Sequence, residues 1–517
     1  MRILMFDIDT LRADHLGCYG YERSTSQNID SIARDGICFD NYYCSDAPCL
    51  PSRAALFSGR FGIHNGVIGH DGTAAELRIS PEERNFRSAP DTYHLSAVLR
   101  SLGHYTASVS TFAERHSAWW FSAGFNEMIN IGKSGDELAQ EITPVALDWL
   151  NRNKDRENWF LHVHYWDPHT LYRTPEEYGN PFEGQPSSSI DWITPKVLKE
   201  HRKAIGFHSA HELSGLGDQV PPEFAFRQLG KVESLADVRK NVDSYDCGIW
   251  NADQGIGQII AWLKTEGLYQ DTAIIVTADH GEDMGELGRY SEHGCADYPV
   301  NRIPMIIKWP GSKRKGLHLQ SFHYNIDLLP TLIALLKDSC GYHSPYEAYM
   351  RRMFGEHYAN IMWAQILKHY DGIAYDNAIL EGEDTGREYL VLGCATHTIQ
   401  RSVRFDDYLY IRTYHDGFCL FPRHMLFNLK EDPHQQHNLA ESRPDLLYKA
   451  SYLMSEWVDA QMAGNARQGY GDPIWTVLQE GGPYHVKGQL ENYLKRLEET
   501  GREEQAEELR SKYSSAV

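Results

Sequence analysis

A thiol, a proline, a hydroxyl and a guanidinium stand together in Cys49-Leu50-Pro51-Ser52-Arg53, ahead of Ala54-Ala55-Leu56-Phe57-Ser58-Gly59-Arg60. A cysteine beside a fixed positive charge is a candidate nucleophile, because the ionised sulfur is the attacking species. A loop that wraps a phosphate between thiolate and arginine asks for Cys-x5-Arg, and the Cys-x3-Arg spacing here disfavours it. The plain structural alternative is a proline turn leading into a helix, with Ser52 as its N-cap and Cys49 as a small buried residue. The pentapeptide by itself does not separate these two readings.

Other chemistry-bearing segments accompany it. Asp9 ends the apolar run Ile3-Leu4-Met5-Phe6-Asp7-Ile8, and Asp279 ends Ile274-Ile275-Val276-Thr277-Ala278, followed at once by His280-Gly281-Glu282. A lone aspartate at a strand end usually caps a turn. A second strand ending in Asp-His-Gly makes metal ligation the better reading of the pair. Asp7 lies two residues before Asp9 and so shares its face on a strand; it either joins those acids or is a buried acid with another job. Trp166-Asp167-Pro168-His169 follows the apolar run Phe160–Tyr165, and Met425-Leu426-Phe427-Asn428-Leu429 precedes Asp432-Pro433 and Asn438-Leu439-Ala440.

In this order the segments resemble those of the type I, formylglycine-dependent sulfatases of the alkaline phosphatase superfamily. The likeness runs from residue 3 to about residue 445. It implies that Cys49 is oxidised to formylglycine by a formylglycine-generating enzyme. The hydrated aldehyde would attack a sulfate ester with one hydroxyl and expel sulfate with the other. It also implies a divalent cation, calcium first and manganese or magnesium second, on Asp9, Asp279, His280 and an oxygen of the modified Cys49. Arg53 would hold the diol oxyanion and the metal-bound acid. His169 would touch the sulfate and the leaving-group oxygen.

The chain departs from the family pattern at three points. Asp9 is followed by Thr10, where many sulfatases carry a second acid. After Gly103-His104-Tyr105-Thr106 the expected lysine is missing, and Thr111-Phe112-Ala113-Glu114-Arg115-His116 offers His116 for the family histidine and Arg115 as a replacement charge. The lysine usual after Asp-His-Gly is also absent, and Ser291-Glu292-His293-Gly294 puts His293 forward for sulfate binding or acid catalysis. Histidines in place of lysines would favour activity where imidazole is protonated, near or below neutral pH.

With 517 residues, 42% hydrophobic and 23% charged, the chain is long enough for one to three globular domains. A net charge of -21 argues against nucleic acid or an anionic membrane as partner, and a local set of cations must oppose that field for any anionic substrate. Nine cysteines (18, 38, 44, 49, 247, 295, 340, 394 and 419) without a Cys-x-x-Cys pair suggest reduced thiols. Met1-Arg2 leads straight into an apolar strand and no apolar run reaches membrane-spanning length, so the expectation is a cytoplasmic protein.

These residues need elements to position them. Apolar runs at Ile3–Ile8, Tyr105–Ser110, Phe160–Tyr165, Ala273–Thr277 and Met305–Lys308 alternate with helical patterns such as Tyr245–Thr265. The expected fold is α/β: a large, mixed, mostly parallel sheet sandwiched by helices, with a smaller C-terminal antiparallel subdomain. Strand carboxyl ends bind ligands in such sheets, which is where Asp9 and Asp279 fall. Residues 1–384 are read as the catalytic domain, with a polar insertion at 175–240 over the pocket mouth. Alternation in Tyr408-Leu409-Tyr410-Ile411-Arg412 and Cys419-Leu420-Phe421 marks a subdomain at 385–480. A charged tail at 481–517 reads as a solvated helix or an oligomer contact, so a homo-oligomer is open.

The leading expectation is a sulfatase acting on a sulfated small molecule or, more specifically, a carbohydrate. Trp119-Trp120, beside His116, offers a sugar platform in Trp119, with core packing as the alternative. A phosphonate monoester or phosphodiester hydrolase of the same superfamily is the second reading, and a non-catalytic binding protein with unconverted Cys49 the third. His397, Arg401 and Arg404 are further polar candidates in the C-terminal sheet.

Overall fold

The computed structural model describes residues 1–78, 89–337, 352, 367–465 and 470–514. Cys340 and residues 515–517 of the charged tail lie outside them. Five apolar runs legible in the sequence form the centre of one eight-stranded sheet. Its order is Leu317–Leu319, Ile37–Phe39, Met305–Lys308, Thr272–Thr277, Arg2–Ile8, Trp159–Tyr165, Tyr105–Val109, Glu127–Ile129. All neighbours run parallel except Met305–Lys308, which is antiparallel to both of its partners.

Ile3, Leu4, Met5, Phe6, Ile274, Ile275 and Val276 are fully buried, as strands covered on both faces must be. Each such side chain contributes about 1.5–3 kcal/mol by leaving water. Leu235–Thr265 covers one face together with Gln27–Asp35 and Ala139–Asn153. This long helix begins ten residues before the expected Tyr245, because Ser234 and Asp237 close a reciprocal capping box at its start. Helical structure therefore starts inside the stretch read as an insertion, which also holds the short helix Pro195–His201. Gly248 of the long helix sits so close to the loop after Trp159–Tyr165 that a Cβ there would lie 2.4 Å from the Asp167 carbonyl oxygen. That approach seats the Asp167-Pro168-His169 turn.

The second sheet is antiparallel through Tyr389–Cys394, Ile399–Phe405, Tyr408–His415 and His424–Asn428. Its fifth strand comes from the catalytic region: Asp46–Ala47 pairs parallel to Tyr389–Cys394, two residues before Cys49. Asn438 and Leu439 close the sheet by bonding Leu426. Cys419-Leu420-Phe421 is not a strand, contrary to the alternation read there. Positive φ at Gly417 (61°), Phe418 (70°) and Leu420 (55°) folds it into a turn.

The tail is not a solvated helix. Leu490–Glu499 and Glu503–Ser514 bury Tyr493, Leu494, Leu497, Ala506 and Leu509 against Ile205, Phe207 and Phe418. Buried Glu212 takes hydrogen bonds from Arg496 and Arg502 and so ties this clasp to the insertion. Among the described residues no helix is long and apolar enough to cross a membrane.

Candidate active site

Cys49 is the first residue of the helix Cys49–Ser58, and Arg53 lies one turn on, on the same face. Ser52 is inside the helix and is not its N-cap. Its hydroxyl donates to the Asp279 carbonyl at 2.6 Å, and Asn325 Nδ2 donates to that hydroxyl at 3.1 Å. The helix is thereby pinned to the strand end that carries Asp279.

Three carboxylates converge on Arg53. Its Nε and Nη2 fork onto Asp7 at 2.8 and 3.0 Å, and Nη1 donates to Asp9 at 2.9 Å and to Asp279 at 2.6 Å. Nη2 also donates to His164 Nε2 at 2.7 Å. All five guanidinium N–H donors are thus engaged. None is left for an oxyanion on residue 49, so Arg53 grips the acids and does not meet the nucleophile. Asp7 is explained as well: bonded to Arg53 and near His162, it positions the arginine and does not face Cys49.

His164 and His162 carried no motif. His164 passes a hydrogen bond from Nδ1 to Ser110 Oγ at 2.9 Å, and burial, then Arg53, pushes it down to about 4, so its ring is neutral.

Donor atoms of Asp9, Cys49, Asp279 and His280 lie within 4.8 Å of one another, all buried. Cys49 Sγ is 3.0 Å from His280 Nε2 and 3.9 Å from Asp9 Oδ1. His280 Nδ1–H donates to the Gly281 carbonyl at 2.8 Å, which turns the Nε2 lone pair toward the cluster. Three acids face one arginine, an excess of negative charge that a divalent cation would balance. The carboxyls register the crowding. Burial, and then Asp9, raise Asp279 to about 6, while Asp9, despite burial, is held well below the usual range by Arg53 and His169. The donor set therefore fits a divalent cation. Thr10, where a second acid was missing, adopts φ 56°, donates its backbone N–H to Asp279 Oδ1 at 3.1 Å, and buries a hydroxyl without a partner.

Burial, then Asp9 and Asp279, push the Cys49 thiol well above its ordinary value. The unmodified residue is a protonated thiol, a poor nucleophile despite its place at a helix start.

The predicted histidines do gather here. His169 lies with Nε2 4.0 Å from Asp9 Oδ1, its Nδ1 bonded to the Thr170 carbonyl. His293 stacks on His280 at 5.0 Å and neighbours His169 at 5.4 Å. His116 packs against His70 at 4.9 Å, farther out. Burial is the first cause that keeps all three neutral, with His116 near 3 and the others well below the usual value. The expected store of imidazolium charge near neutral pH is therefore absent from the resting pocket, because buried rings shed their protons.

A cleft of about 730 Å³ reaches Leu50, next to the nucleophile, and is lined by His70, Asp71, Arg115, His116 and Trp119. Arg115 lies over the Trp166 ring at 5.1 Å. The tryptophan pair divides: Trp119 is 55% exposed and faces the cleft, whereas Trp120 is 2% exposed and packs against His94 and Phe112. Arg401 and Arg404 are spent elsewhere, on Asp472 and on the 405–408 turn.

Comparison with known proteins bears on the same residues. The family model described as Sulfatase matches residues 3–339. The uncharacterized sulfatase YidJ of Escherichia coli (strain K12) is 26% identical over 356 residues, covering 63% of this chain and 66% of that one, so the match spans about two thirds of that relative. A solved structure in complex with its substrate, D-glucosamine-2-N,6-O-disulfate, superposes with TM-score 0.63 at 17% identity, covering 92% of this chain and 99% of the other. A phosphonate monoester hydrolase from Silicibacter pomeroyi does so with TM-score 0.61 at 18% identity, covering 89% and 95%.

Proposed function

This chain belongs to the sulfatase family, and from that premise we propose that it is a sulfuric ester hydrolase that cleaves O-sulfate monoesters of a carbohydrate to an alcohol and inorganic sulfate. The observation that carries the reading is Cys49 at a helix start, 3.0 Å from His280 and 3.9 Å from Asp9, within one buried cluster that also holds Asp279. The Cys49 sulfur marks where the attacking oxygen would sit. Formylglycine at this position supplies a geminal diol for attack and for release of sulfate. Asp9, Asp279, His280 and the residue-49 oxygen would hold a divalent cation, which would supply Lewis-acid polarisation. Calcium is the ion the family resemblance implies, and the imidazole in the set suits manganese as well.

The chain's own residues do the rest. Arg53 holds three acids in place. His280 holds its lone pair inward through Gly281. His169, neutral at rest, can take a proton at Nε2 as an anionic substrate arrives and pass it to the departing oxygen. The cleft beyond Leu50 receives the alcohol portion, with the exposed face of Trp119 as a sugar platform. A carbohydrate is favoured by that platform and by the disulfated glucosamine bound in the similar structure.

Two measurements test this. Mass analysis of the Cys49 peptide should show oxygen in place of sulfur and two hydrogens fewer. Turnover should then be compared on an aryl sulfate, sulfated glucosamines, an aryl phosphate and a phosphonate monoester. A converted preparation that leaves every sulfate ester intact would refute the reading. Preferred cleavage of the phosphonate monoester would establish the second reading, which the non-acidic Thr10 beside the cluster and the similar phosphonate hydrolase structure favour. An unconverted Cys49 in protein from its native host would instead support the binding-protein reading.

A further inference from the structure

Beside the nucleophile, and apart from it, a second set of buried donors comes together from three distant parts of the chain. His208 stands in the insertion, Glu292 ends the strand Tyr290–Glu292, and His397 lies in the turn between Tyr389–Cys394 and Ile399–Phe405. One ligand atom from each lies within 4.8 Å of the others. Their exposures are 7%, 1% and 9%. His208 Nδ1 is buried with no hydrogen-bond partner.

The neighbourhood is built around these atoms. Glu292 Oε1 takes His397 Nδ1 at 2.8 Å and the His293 backbone N–H at 2.8 Å, together with the Gly294 N–H. Gly294 leaves the space open: a Cβ there would stand 2.6 Å from His397 Nδ1 and 2.8 Å from Glu292 Oε1. The set is one carboxylate and two imidazoles. Two imidazoles and a carboxylate suit zinc or a similar first-row divalent ion, whereas the oxygen-rich Asp9–Asp279 set suits a harder one. His293 neighbours both sets, at 5.0 Å from His280 and at 6.1 and 6.2 Å from His208 and His397.

We propose that His208, Glu292 and His397 form a second metal site, distinct from the Asp9–Asp279–His280 centre, that takes one divalent ion of the zinc class. Such an ion links the insertion, the short strand Tyr290–Glu292 and the C-terminal sheet at one point. It also sets positive charge beside His293. The site goes beyond the proposed reaction, and counting metal reads it without any turnover.

The test uses the full-length protein, stripped with EDTA, reloaded with zinc in excess calcium, passed through gel filtration and analysed for metal. The wild type should retain zinc, Asp9→Asn should retain it equally, and His208→Gln and His397→Gln should each lose it. Crystals of the zinc-loaded wild type should show an anomalous peak among the three side chains at the zinc edge. Loss of all zinc on gel filtration overturns the proposal. So does undiminished zinc in both histidine variants, or anomalous density only at the first centre or on the surface. Should either variant fail to fold, the wild-type anomalous map decides alone.

Discussion

Arg53→Lys is the sharpest perturbation of the site, because it keeps the positive charge and removes the geometry. The guanidinium places five donors on Asp7, Asp9, Asp279 and His164. An ammonium has three donors and cannot fork across Asp7. At least two charge-assisted hydrogen bonds disappear, each worth about 1.5–3 kcal/mol. The expected loss is therefore about 3–6 kcal/mol, in line with about 3–5 kcal/mol for breaking a buried ion pair. That is a large part of the roughly 5–15 kcal/mol that holds a domain together. Urea unfolding of wild type and variant, each with EDTA and with saturating calcium, reads the effect. The deficit should be larger in EDTA, since the cation balances acids that Arg53 otherwise balances alone. Aryl sulfate turnover should fall with it, because Asp9 and Asp279 are no longer held. A variant within about 1 kcal/mol of wild type, the range of ordinary single substitutions, with full turnover, would refute the view of Arg53 as the clamp of the acid cluster.

Three further outcomes are expected. His169→Gln should lower kcat by about 10²–10⁴-fold with little change in KM, the range for a lost general acid–base group; steady-state kinetics on a sulfated sugar check it, and a pure KM effect would contradict the role. Trp119→Ala should raise KM for a carbohydrate sulfate about tenfold, since an aromatic platform contributes on the order of 1 kcal/mol beyond its buried area, while a small aryl sulfate is barely affected. His104 is buried and pushed down to about 4, so it folds neutral. Its contribution is complete above its unfolded value near 6.5 and is lost as pH falls toward 4, on the order of 3 kcal/mol. His104→Gln should flatten that part of the acid-unfolding curve, and equal slopes in wild type and variant would count against the burial argument.

Asp9, Asp279, Cys49 and Arg53 stood out before any fold was known, and their convergence has a local reason. Asp9 and Asp279 terminate apolar runs, and a fully apolar run in an α/β pattern is a buried parallel strand whose end lies at the ligand edge. Cys49 and Arg53 are one helical turn apart, so their common face follows from spacing alone. Tertiary structure decided what those residues touch. Asp7 and Asp9 share a face, yet only packing made the first a support for Arg53 and left the second beside Cys49. His164 carries no motif and is placed by its strand's register, Asp7 opposite His164. The charged tail looked solvated because its few apolar residues find partners far along the chain, at Phe418 and in the insertion roughly three hundred positions away. His208, Glu292 and His397 are likewise scattered along the chain, and no periodicity announces a contact among an insertion, a strand end and a turn. Burial also acts on the histidines that stand where the family has lysines: rings that would titrate in water stay neutral where the packed core surrounds them.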